Sequence, residues 1–343
     1  MWIVIHGGTP KTGTTALQQA LHRARGPLAR QGILYPRTVI GGPAHHALVA
    51  GAMTADRLQR RGSLRGVLGG VERGLAAAET FWETLRADLR RLRPEGIVLS
   101  SEYAFRGMTD AEIARLHRQL LDLSDDLRPL VYLREPLGFF ASECLQNVKM
   151  GRPLASPSQP SLKQATQRWR AAFGRLEMRI FDRATLGGGG IVSDLLGHVL
   201  GRPDLLALVD PVIANESLSA EAAQIVQSFR SSRHPDKAGQ SEPQTVALIR
   251  ALQQIEAGAE PRRAVLRPAV QTAILQRAAE FLWLREGEGL VFPGLDYSRI
   301  AAQAPQVAAA PFGSLVREIF EFDPARQDRL LALLRRAEPE LPV

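Results

Sequence analysis

Apolar and polar positions follow two rhythms along this chain: short unbroken apolar runs, and longer stretches with helical spacing. Residues 2–5 (WIVI) are the first apolar run. A Gly-rich turn follows (HGGTPKTG), and the apolar positions of TTALQQAL then fall on one helical face, with a helix beginning near Thr14. The order strand, turn, helix recurs. GILYP reads as a short extended segment, TVIGGPAHHALVAGAM as a loop leading into a helix, and residues from about 63 to 93 as helix, stopped by Pro94. EGIVLSSE gives a buried strand that stops at Ser100, Ser101 and Glu102. TDAEIARLHRQLLDL is an amphipathic helix with its cap at Thr109 or Asp110. A short apolar strand over 130–133 then ends in Arg134, and a helix carrying Ser142 follows Pro136. Continuous apolar strands separated by helices predict an α/β fold: a three-layer, doubly wound, mostly parallel sheet of about five strands. Three of these strands deliver polar residues at their C-terminal ends, the edge where open parallel sheets bind ligands.

Beyond Ser142 the pattern is looser. GRPLASPSQPSL is a Pro- and Ser-rich loop long enough to act as a lid or a connector. NESLSAEAAQIVQSF is helical with Ser219 near its start, and AAQAPQVAAAP is a low-complexity linker. The segment 313–337 reads as an amphipathic helical piece broken near Pro324, suited to packing or homodimer contacts. The expected organisation is one domain over 1–300, with a linker and helical extension over 301–343.

Composition narrows the function classes. With 343 residues, 45% hydrophobic, the chain can bury a large core. Its net charge of +8 invites a nucleic-acid partner, yet 39 of its 43 basic residues are Arg and they are interspersed with acids, as in RADLRRLRPE, instead of forming a block. Nucleic acid is therefore not the expected partner, and the charge serves at most to steer a polyanion. A single cysteine, Cys144, permits no internal disulfide and sits where ordinary packing is expected. No run reaches the roughly 18 apolar residues of a spanning helix, and the first strand starts at once, so a cytoplasmic protein without a membrane span is expected.

The turn after the first strand holds the chemistry. Successive N–H groups from Gly7 to Thr14 can point into one concavity, and the following helix adds its positive dipole end, so an anion should sit there. Gly8, four residues and Gly13 nearly fit the nucleotide-triphosphatase loop, but Thr14 stands where that pattern wants Lys. The only lysine in the loop is Lys11, three positions earlier. PKTGTT resembles instead the 5′-phosphosulfate loop of the sulfotransferases that use 3′-phosphoadenosine 5′-phosphosulfate (PAPS) and need no metal. VYLREPLGFFAS resembles their 3′-phosphate motif, a strand ending in Arg with Ser eight positions on, met here by Arg134 and Ser142. LEMRIFDRATL resembles the late strand of the bacterial members, and GGGGIVSDLLGHVLG their following turn and helix. A Gly-rich, Lys-containing motif near the C-terminus of the human cytosolic members is absent, which favours the bacterial, carbohydrate-type branch. The resemblance covers about residues 1–230.

That resemblance implies a P-loop nucleotide-hydrolase-like fold and a sulfotransferase that moves a sulfuryl group to an acceptor hydroxyl on a sugar or glycoconjugate. The donor would be held by Lys11, Thr12, Gly13, Thr14, Thr15, Arg134 and Ser142. Lys11 would also stabilise the leaving phosphate. Two candidates stand for the base: Glu102, at the end of the middle strand where the cytosolic enzymes carry their catalytic His, and the pair His45 and His46 in the Gly-rich loop. Two other classes fit the loop: a P-loop kinase or ATPase, which needs magnesium, and a non-catalytic anion-binding protein.

Overall fold

A computed structural model describes residues 1–40, 42–154, 162–182, 184–186, 190–210, 217–258, 262–303 and 312–338. The elements in chain order are β1 (Trp2–His6), α1 (Thr14–Arg23), α2 (Arg25–Arg30), β2 (Ile33–Leu34), α3 (His46–Ala50), α4 (Ala55–Arg60), α5 (Gly62–Leu68), α6 (Val71–Leu92), β3 (Gly96–Ser100), α7 (Asp110–Leu121), β4 (Asp126–Leu133), α8 (Pro136–Lys149), α9 (Leu162–Phe173), β5 (Glu177–Ile180) and α10 (Gly190–Ser193). A π-helical stretch, Asp194–Val199, and a 3₁₀ stretch, Pro203–Leu208, follow. Then come α11 (Ala220–Arg233), α12 (Pro243–Gly258), α13 (Pro268–Leu275), α14 (Ala279–Glu288), α15 (Val316–Ile319) and α16 (Pro324–Ala337).

The five strands form one all-parallel sheet in the order β2-β3-β1-β4-β5. β1 is central, so the chain winds outward on both sides of it. Alternation explains how the sheet is covered. Val4, Val98, Leu130 and Tyr132 pack with Leu17, Leu21, Leu28 and the π-helical Leu195 and Leu196 on one face. Ile3, Ile5, Ile97, Leu99, Val131 and Leu133 point the other way and are equally buried, so both faces lie under helices.

Two elements differ from the sequence expectation for physical reasons. The helix expected over 63–93 is two helices, because Gly69 (φ 73°) and Gly70 (φ 123°) take conformations closed to a continuing helix. β4 begins at Asp126, four residues before its apolar run, in spite of Pro129. The Leu130 carbonyl faces β1, accepting from the Gly7 N–H at 2.9 Å, so the Pro129 nitrogen faces the other side, where β5 starts only opposite Leu130. The missing donor therefore costs no ladder bond. At Thr109 the cap is the expected one, completed by Glu112 as a capping box.

The chain divides into two compact units, residues 1–134, 160–214 and 284–294 in the first, and 135–159, 215–283 and 295–343 in the second. The first contains the sheet. The second is helical, with a core that includes Phe140, Cys144, Val226, Phe229, Leu252, Phe320 and Leu334. Its buried carboxylates Glu221 and Glu256 flank Arg326 at 3.5 and 3.4 Å. Ser219 caps α11 by accepting the Ala222 N–H, and the C-terminal extension belongs to this unit, its helix starting at Pro324. The expected lid falls partly, and the 301–311 linker mostly, outside the described residues. Among the described residues no helix is long and apolar enough to cross a membrane.

Candidate active site

The loop that leaves β1 runs between the C-terminal ends of β3 and β4, and both strands tie it down. The Thr9 hydroxyl donates to Tyr132 O at 2.7 Å, and the Thr12 hydroxyl donates back to Thr9 O at 2.6 Å, which closes the turn. Gly8 admits no side chain, since a Cβ would lie 2.4 Å from Thr14 Oγ1. Gly13 has φ 71°, and a Cβ there would stand 2.8 Å from the Phe181 ring. Lys11 lies in the same left-handed region, φ 67°, where a residue with a Cβ costs about 1–2 kcal/mol. Strain of this kind persists where surrounding contacts over-determine the backbone.

Gly13 is also the residue that precedes α1, and it offers no side-chain cap; the first turn carries no acidic residue either. The first amides of a helix are orphan donors. Left uncapped at the head of a ten-residue helix, they suit an anion. Thr12 and Thr14 are buried and Thr15 is exposed; the Thr12 hydroxyl is spent inside the loop, so its contribution to an anion is its backbone N–H.

Arg134 closes the opposite side. Its Nη1 donates to Lys11 O at 3.1 Å, across 123 residues of sequence, and its guanidinium carbon stands 6.0 Å from the centre of the Phe181 ring. The structure thus brings Lys11, Gly13, Thr14 and Arg134 together. Ser142 is half-buried on α8, in the second unit.

Glu102 lies two residues past β3, half-buried, in a loop held from several sides. The Trp169 Nε1 donates to Phe105 O at 3.0 Å, Arg57 Nη2 donates to Gly107 O at 3.1 Å, and Arg61 reaches the same carbonyl. Burial raises the Glu102 carboxyl above its ordinary range, and the Lys11 ammonium pulls it back down. No ion pair joins Glu102 to Arg134 or Arg106 among the described residues, so the charge that acts on it is Lys11.

The two loop histidines part company. His45 is fully buried with both ring nitrogens engaged: Nδ1 accepts the Ser100 N–H at 3.0 Å, which leaves the proton on Nε2, 3.0 Å from Pro36 O. It fastens the loop before α3 to the end of β3 and has no nitrogen left for a substrate. His46 is also buried, its Nδ1 3.0 Å from Ser101 Oγ and its ring edge-on to Tyr103. Neither faces solvent.

Beneath the loop runs a polar belt. Gln18 Nε2 donates to Ser100 Oγ at 3.1 Å, and Ser100 Oγ lies 2.8 Å from His6 Nδ1. The His6 ring stands edge-on to Tyr132, whose hydroxyl donates to Asp194 at 2.7 Å, and Arg179 grips Asp194 with two N–H groups at 2.6 and 2.5 Å. The belt crosses β3, β1, β4 and β5 on the α1 face. Its members share no local motif, and the only sequence signal is parity: His6, Ser100 and Tyr132 are the even-numbered polar positions at apolar strand ends.

Burial holds the imidazoles of His6, His45 and His46 down to about 4 from an ordinary 6.5. Each group stays neutral in the fold and takes up a proton readily only when unfolded. Stability is therefore complete above about pH 6.5 and is lost as pH falls from 6.5 to 4, by several kcal/mol in sum at about 1.4 kcal/mol per unit shift. Urea titrations at intervals across that window should show the midpoint falling steeply; a flat profile would mean that these rings are hydrated.

No protein-family model, curated protein or solved structure matches this chain.

Proposed function

We propose that this chain is a sulfotransferase that uses PAPS as donor and transfers its sulfuryl group to an acceptor hydroxyl, on a sugar or glycoconjugate. The observation that carries the reading is the hydrogen bond from Arg134 to the carbonyl of Lys11. It supports treating the loop and the end of β4 as one dianion site: uncapped α1 amides for one phosphate, and a guanidinium fork for a second. The donor set suits such a ligand, being cationic and N–H-rich, with Glu102 as the carboxylate beside it.

In this reading the amides of Thr12 to Thr15 and the Thr14 and Thr15 hydroxyls hold the 5′-phosphate. Lys11 places its ammonium where charge gathers as the S–O bond to that phosphate breaks. Glu102 removes the acceptor hydroxyl proton, and its raised pKa brings it nearer to the range a general base needs. Arg134 holds the 3′-phosphate. The chain's residues thus position two reactants in line and balance the charge moving between them. Ser101 immediately precedes Glu102, and its bond to His46 steadies the strand end.

Calorimetry tests the reading directly. Adenosine 3′,5′-bisphosphate should bind far more tightly than AMP, because only the former fills both phosphate positions. Arg134→Ala should erase most of that preference, at about 1.5–3 kcal/mol for a charged hydrogen-bonded contact. Equal affinity for the two nucleotides, or a preference for ATP with magnesium, would overturn it and favour a kinase or ATPase.

A further inference from the structure

On the outer side of the edge strand β2, the first unit holds a cavity of about 370 Å³ between α2 and the C-terminal turn of α6. Arg25, Arg30, Arg37 and Arg91 line it, against one carboxylate, Asp88. That carboxylate is already taken by Arg91 at 2.6 Å, and Arg25 spends one N–H on His22 O at 2.9 Å. Arg30 and Arg37 are exposed and make no hydrogen bond or ion pair among the described residues. The remaining lining is Gly26, the apolar Ala29, Leu34 and Leu92, and Tyr35, whose hydroxyl is spent on Pro43 O at 2.7 Å.

We propose that this cavity is a second anion site, which takes a small ring-bearing molecule with two or more sulfate or phosphate groups. Three features lead there. Its volume lies at the small end of the range, about 300–1,000 Å³, in which proteins bind small molecules. The excess of guanidinium over carboxylate leaves two planar forks uncommitted, and such forks match the paired oxygens of a sulfate or phosphate ester. The apolar floor and the flat guanidinium faces suit a ring body better than a bare ion, which would gain nothing from Ala29 or Leu92. β2 lies two strands from β1, so the site is separate from the loop that follows β1 and does not depend on the sulfotransferase reading.

The test is calorimetry at about 0.15 M salt, where surface charges are screened beyond about 8 Å. Two probes separate the sources of the anion: glucose 1,6-bisphosphate and the corresponding glucose 1,6-disulfate. At least one should bind the intact chain, and Arg30→Ala with Arg37→Ala should weaken it by about tenfold or more, the scale of one charged contact. Lys11→Ala should leave that affinity unchanged. So should Arg60→Ala with Arg90→Ala, a control pair of exposed arginines outside the cavity. The proposal is overturned if neither probe binds, if the control pair costs as much as the cavity pair, or if Lys11→Ala removes binding while the cavity pair leaves it intact.

Discussion

Glu102→Gln is expected to lower sulfuryl transfer by roughly 10²–10⁴-fold, the scale of a lost general base, while leaving the affinity for adenosine 3′,5′-bisphosphate nearly unchanged. The amide keeps the shape of the side chain but accepts no proton. The native enzyme should lose activity as pH falls through the Glu102 pKa, which burial lifts above its ordinary 4.5 and Lys11 restrains. Gln at this position should abolish that acidic limb instead of lowering its height. His46→Gln, which removes the bond to Ser101 and the ring contact with Tyr103 but leaves the Glu102 carboxylate, should keep the limb in place. A Glu102→Gln enzyme with most of its activity, beside a dead His46→Gln enzyme, would hand the chemistry to the imidazole.

Lys11 offers the second large effect, and one that separates function from stability. If its ammonium meets charge only as the S–O bond breaks, Lys11→Ala should reduce kcat by about two or more orders of magnitude with a smaller change in donor binding. Normal kcat with a raised KM would make Lys11 a ground-state anchor. Lys11→Gly should be as inactive as Lys11→Ala yet more stable by about 1 kcal/mol, because both lose the same side chain and only glycine accepts φ 67° without penalty. Thermal unfolding of the two variants side by side gives that difference directly.

The sequence carried the parts of this molecule that depend on neighbours in the chain. β1, the turn and the start of α1 were legible because an apolar run, glycines and a helical period stand side by side over twenty residues. Arg134 was legible because it ends such a run. The parts that depend on pairing across the sheet were not. β4 is twice the length of its apolar run, since β1 pairs with it from Asp126 onward and the gap beside Pro129 leaves that proline harmless. The two engaged ring nitrogens of His45 likewise depend on Ser100 and Pro36, which no spacing rule connects to it. Phe181 carries no signal in the sequence, because an aromatic residue after a strand is ordinary there; only the fold sets its ring beside Gly13 and Arg134.

The polar belt sets the moment in synthesis at which the proposed anion site is completed. The loop sequence is complete within the first fifteen residues, but its floor needs Ser100, then Tyr132 and Arg179, and finally Asp194. Contacts so distant in the chain form slowly, after loop closure has been met by the strands between them. A nascent chain that has emerged only as far as β3 therefore carries the loop without the β4 carbonyls that shape it. Chains cut before residue 194 should leave Arg179 and Tyr132 without their shared carboxylate, and the anion site becomes a late product of translation despite being written at its beginning.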